Sequence, residues 1–144
     1  MLGRSIHVCV LFVMSLSAVA QTSSSKEPAL SSKQQAIVDR KIAGLKSPGD
    51  RRVAGEWSNA KKVAEVLCRP VALSVLKRQA TGVDRVFLGT ADPHTLNLES
   101  NRRLTGSGQF RTPKGWREFT FTCELDPDTG KVTSFQNVPL STKP

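Results

Sequence analysis

Tyrosine is absent from this chain of 144 residues, histidine and tryptophan occur twice each, and cysteine three times. These scarcities narrow the chemistry. No CxxC or HxxxH spacing is present, and His94 is the one histidine beyond the first twenty residues, so a zinc-type ligand set has too few members. No glycine-rich phosphate loop and no recognisable cofactor motif occur, and neither metal nor cofactor is expected. No apolar run reaches the roughly 20 residues that cross a bilayer as a helix. Acidic residues are also few: 12 Asp and Glu stand against 21 Lys and Arg, a formal charge of +9. A chain this basic suits anionic partners.

The first residues, MLGRSIHVCVLFVMSLSAVA, have three parts: one positive charge at Arg4, an apolar stretch from Ile6 to Leu16, and small residues ending Ala18-Val19-Ala20. That order predicts a signal peptide over 1–20, cleaved before Gln21, and hence a periplasmic or secreted protein with no membrane-spanning segment after cleavage. Two cysteines then remain, Cys68 and Cys123. In an oxidising compartment an isolated pair is most simply a disulfide. A cysteine nucleophile would need a free thiol and a histidine partner, and export disfavours the thiol.

Residues 21–33, QTSSSKEPALSSK, are rich in serine and lack an apolar period, so they read as a disordered tether before one domain over 34–144. In QQAIVDRKIAGLK the residues Ile37, Val38, Ile42 and Leu45 follow helical spacing. Ser47-Pro48-Gly49-Asp50 starts a helix, because serine caps, proline has no N–H to lose and aspartate complements the helix N-terminus. The stripe Val53, Trp57, Ala60, Ala64, Leu67 extends this helix over 49–68, and Pro70 should kink or interrupt it before a further helix over 70–79.

From Val83 the period becomes two, with candidate strands over 83–88, 94–99, 103–111, 116–125 and 131–138. The connectors TPKG and PDTG carry turn residues. The expected fold class is therefore α+β, with N-terminal helices packed on one face of a four- to five-stranded antiparallel β-meander and one disulfide. If Arg111 pairs with Trp116, then Gly108 faces Phe119, Gly106 faces Phe121 and Leu104 faces Cys123. Glycine opposite phenylalanine leaves room for the ring. Cys123 then shares the core face with Phe119, Phe121 and Leu125, where a bond to Cys68 would pin helix to sheet.

The segments LKSPGDR, EVLCRPVAL, DRVF, GQFR and FTFTC, with VTSF after them, resemble the bacterial exported family known as domain of unknown function 930. The similarity covers roughly residues 45–138. It implies a Gram-negative envelope setting and carries no catalytic or ligand residue with it. SGQF at 107–110 resembles the loop signature of periplasmic lysozyme inhibitors, but lysozymes are usually basic and a protein of this charge would repel them.

Two functional readings follow. The leading one is a small, basic, non-enzymatic interaction domain that binds an anionic envelope component or an acidic protein. Its charge clues are the pairs Arg51-Arg52, Lys61-Lys62, Lys77-Arg78 and Arg102-Arg103, against the plain alternative of a solvated surface. Nucleic acid would suit the charge, but no binding motif for it occurs and export removes the chain from it. The alternative is a small periplasmic hydrolase using Asp92 and His94, with Asp84 as a further acid, although ADPH is also a turn sequence. The side of the sheet away from the core offers a candidate binding face. A four-residue PDTG loop, favoured because its glycine takes the left-handed position, pairs Asp126 with Lys131 and places Phe135 opposite Thr122, on the same face as Arg111 and Trp116. A five-residue loop would slip the register by one and send Phe135 into the core. The competing expectation is that the 34–45 helix covers these rings.

Overall fold

The computed structural model describes residues 26–140. The expected signal peptide, residues 21–25 of the expected tether and residues 141–144 lie outside them. Helix α1, Ser32–Ala43, opens on a capping box: Gln34 N–H donates to Ser31 Oγ at 3.2 Å, and Ser31 N–H donates to Gln34 Oε1 at 2.9 Å. The described part of the expected tether is thus tied to the fold. Glu27 fastens it further, its carboxylate accepting from the N–H groups of Asn59 at 2.7 Å and Ala60 at 2.6 Å.

Helix α2, Pro48–Gly55, starts at the foreseen Ser47 cap. It then stops well short of residue 68. Ser58 Oγ accepts from Lys61 N–H at 3.1 Å, and with Glu27 it satisfies the free amides that begin a new helix. This helix, α3, runs over 59–79 in three pieces: α-helical Asn59–Lys62, π-helical Val63–Cys68 and α-helical Arg69–Gln79. It passes Pro70 without the expected break. Proline in an α-helix crowds the carbonyl four residues back. Just before it the chain adopts the wider π turn, with Arg69 N–H donating to Ala64 O, and the proline is accommodated as a residue of the following first turn.

The strands are β1 Arg85–Leu88, β2 Leu96–Ser100, β3 Arg103–Thr112, β4 Gly115–Asp126 and β5 Lys131–Pro139, all paired antiparallel. Their order is β1-β3-β4-β5, with β2 also pairing β3. Strands β1 and β2 lie end to end along one side of β3, β1 against Gly108–Arg111 and β2 against Arg103–Gly106. The chain leaves this edge between them, through the 3₁₀ turn Pro93–Thr95. From β2 onward the strands form the expected meander.

The β3–β4 register is the one read from the sequence: Arg111 opposite Trp116, Gly108 opposite Phe119, Gly106 opposite Phe121 and Leu104 opposite Cys123. The glycines are required, since a Cβ on Gly108 would lie 2.8 Å from Phe119 Cζ and 2.6 Å from the Phe87 carbonyl oxygen. SGQF lies within β3 rather than in a loop. Helix α3 covers one face of the sheet, where Val63, Leu67, Ala72 and Leu76 join Leu88, Leu104, Phe119 and Phe121 in one buried cluster. Cys68 and Cys123 are bonded in its middle, fully buried, with Cα atoms 6.2 Å apart.

Candidate functional site

The sheet face away from α3, the outer face, is uncovered at the β3–β4 hairpin end. Helix α1 lies elsewhere: Gln34 Nε2 donates to Asn101 O at 2.6 Å and Ser31 Oγ donates to Pro127 O at 2.7 Å, both at turns of the opposite end. Trp116 is therefore 43% exposed, and the expectation that a helix hides it is not met. Its indole stacks on Phe87 with ring centres 5.5 Å apart and planes 22° apart. Arg111 Cζ lies 5.8 Å from the centre of the Trp116 ring.

Arg111 is held from its other side by Asp84. Nε donates to Oδ1 at 2.9 Å and Nη2 donates to Oδ2 at 2.5 Å, a two-pronged guanidinium–carboxylate contact. The contact offsets a local repulsion, because Arg85 stands directly opposite Arg111 across the ladder. The Arg111 hydrogen bond holds the Asp84 carboxyl below its ordinary value of 3.8, with the charges of Arg111 and Arg85 adding to the effect, and the same bond raises Arg111. Arg111 thus serves as a fixed, partly neutralised cation that props the aromatic pair.

Phe135 does not belong to this face. Asp126 pairs with Lys131 as expected, but β5 then carries one extra residue: Leu125 faces Val132 while Glu124 faces Ser134, leaving Thr133 unpaired. A bulge of one residue inverts the facing of all that follows. Phe135 consequently lies opposite Cys123, buried, its ring 5.5 Å from that of Phe121. The aromatic beside Trp116 is Phe87 instead. Its signal was in the sequence, since Val86 and Leu88 set the core parity of β1 and leave Phe87 pointing outward.

The acid–histidine grouping does not assemble. Asp92 Oδ1 accepts from the backbone N–H of His94 at 2.9 Å, so the carboxylate caps a turn rather than meeting the imidazole. Both residues are exposed, and Asp84 is engaged by Arg111. Among the described residues no group of three or more His, Cys, Asp or Glu is placed to hold a metal.

The paired bases separate into classes. Lys61 bonds Glu65, which also meets Arg69. Arg103 is matched by Glu124 at 2.8 Å and Glu99 at 3.9 Å. Arg51 donates to the carbonyls of Leu45 and Lys46. Only Lys77 and Arg78, in the last turn of α3, sit at the hairpin end with Arg85, Arg111, Lys114 and Arg117. An open groove of about 350 Å³ lies there, lined by Ala80, Thr81, Thr112, Pro113, Lys114 and Arg117. Gly82 brings the loop before β1 against the Pro113 ring; its φ of 74° favours glycine, and a Cβ would lie 2.6 Å from Pro113 Cδ. Among the described residues, Lys77, Arg78, Lys114 and Arg117 form no ion pair. Lys114 and Arg117 carried no motif; the hairpin geometry brings them to the groove.

Comparison of the chain with protein-family models, curated proteins and solved structures finds no match.

Proposed function

We propose that this protein is an exported, small, basic, non-enzymatic interaction domain that binds an anionic component of the cell envelope or an acidic protein through the β3–β4 hairpin end. The observation that carries the reading is that Lys114 and Arg117, which form no ion pair among the described residues, line a groove without an acid. Lys77 and Arg78, likewise without an ion pair there, lie in the last turn of α3 just before the groove's Ala80 and Thr81 wall. Around this groove no carboxylate offsets the bases, whereas Glu65 and Glu124 do so for Lys61, Arg69 and Arg103. Export is supported by the leader-like first twenty residues and by a disulfide, a bond that persists in oxidising compartments. No helix among the described residues is long and apolar enough to cross a membrane. The hydrolase alternative has no observation in its favour, since the Asp92 carboxylate is spent on a turn.

The test is capture of envelope material on the immobilised, oxidised protein. Wild type and His94→Ala should retain the same partner, and Lys114→Glu/Arg117→Glu should lose it. Retention by the charge-reversed variant, or loss on changing His94, would overturn the reading.

A further inference from the structure

The proposed function leaves open which anionic partner meets the hairpin end. We infer that it is the surface of an anionic lipid bilayer, touched by the β3–β4 tip; the inference rests on the reading above and narrows it.

Shape is the first argument. The tip is an exposed edge: Pro113, Lys114, Gly115, Trp116 and Arg117 are all exposed in succession, and the neighbouring groove is open to solvent. A small ligand is usually enclosed by a concave pocket, whereas a plane is met by a projecting edge.

Composition is the second. Trp116 and Phe87, 43% and 36% exposed, stack on one side of the tip, and Leu140, 44% exposed, is held to β4 two residues from Trp116, its N–H donating to Glu118 O at 2.9 Å. Lys114 stands at the turn itself, and Arg117 points to the opposite face from Trp116. Indole and apolar side chains settle at the boundary between headgroup and hydrocarbon, while ammonium and guanidinium groups meet the lipid phosphates. At protein–protein interfaces, by contrast, aromatic anchors sit at the centre of a patch ringed by polar residues. Here they lie at the rim of the molecule.

Charge is the third. The hairpin end carries Lys77, Arg78, Arg85, Arg111, Lys114 and Arg117 against Asp84 and Glu118, and Asp84 is already bound to Arg111. The far end of the sheet is balanced, with Lys33, Arg102, Arg103 and Lys131 against Glu99, Glu124, Asp126 and Asp128. This asymmetry orients the domain with its hairpin toward a negative surface.

Flotation with vesicles tests the inference, comparing phosphatidylglycerol mixed into phosphatidylcholine with phosphatidylcholine alone. The oxidised protein should float only with the anionic vesicles and be released by salt. In a Trp57→Phe background the remaining tryptophan of the described residues is Trp116, whose emission should shift to the blue on binding. Lys114→Glu/Arg117→Glu should weaken binding by at least about thirtyfold, the loss for removing two bases worth about fivefold each, with repulsion of the new carboxylates added. Lys33→Glu/Lys131→Glu changes the net charge equally at the far end, where both residues are exposed, and should weaken it only about threefold or less.

No flotation at low salt, equal losses in the two double variants, or an unmoved Trp116 emission would each overturn the inference. Should vesicles be ignored while an acidic polysaccharide or protein is captured through Lys114 and Arg117, the membrane inference fails and the proposed function stands. If no anionic partner binds at all, both fail.

Discussion

Asp84 shows how one carboxylate can decide the posture of a surface. It spans two bases that the ladder sets opposite each other, Arg85 and Arg111, and its grip on Arg111 keeps a cation beside the Trp116 ring. Its carboxyl titrates below 3.8 in the folded protein, chiefly because of that hydrogen bond. A depressed folded value means that the contribution is complete above the ordinary carboxylate range and is lost as pH falls through the lower, folded value. Asp84→Asn removes it at every pH. The stability gap between wild type and Asp84→Asn should therefore be constant near neutrality and close as pH drops below about 4. Thermal melts of the two proteins at a series of acid pH values would check this, and a gap that persists at the lowest pH would refute the role given to Asp84. Asp126 also titrates low, through the backbone N–H of Asp128 and the hydroxyl of Thr129, but it is present in both proteins and cancels in the comparison.

At the scale of elements, the pattern of apolar residues foretold which segments are helix and strand, and local backbone events decided the rest. The β3–β4 hairpin was legible down to its pairs because TPKG fixes the turn and the phenylalanine rings need glycines opposite them. Phe135 was not legible, since the bulge at Thr133 follows a turn whose closing pair was read correctly. Nothing in KVTSF announces one extra residue; the burial of an apolar ring against Phe121 accompanies it. The end of α2 was missed for a similar reason, because Trp57 continues the apolar stripe while the decisive groups are Ser58 and the distant Glu27. Glu27 bonds two amides at the start of α3 across more than thirty residues of chain. Glu27→Ala should cost about 1–2 kcal/mol, the range for losing a helix cap. It should also raise amide hydrogen exchange at Asn59 and Ala60 before the rest of α3. Unchanged exchange there would show that the clasp contributes nothing.

For the whole molecule, the two layers share one modest core, and the helical layer meets the sheet chiefly through α3. The bond from Cys68 to Cys123 ties that helix to the central strand β4, and both cysteines are fully buried among Val63, Leu104 and Phe119. Domains of about this size bury limited apolar surface and gain disproportionately from a staple. The bonded residues are 55 apart in sequence, so in the chain-entropy account the cross-link stabilises by about 4 kcal/mol, by restricting the unfolded chain. Packing adds a smaller term, because each sulfur also fills core volume that alanine would leave empty. Replacing both residues by alanine should therefore lower the unfolding free energy in urea by about 3–5 kcal/mol. It should also steepen the denaturant slope, because the unfolded chain without its cross-link exposes more surface. Reduction of the wild type should reproduce most of the loss, and non-reduced peptide mass spectrometry should recover the linked pair beforehand. A double-alanine protein as stable as the oxidised wild type would mean that the sheet and α3 hold together by packing alone.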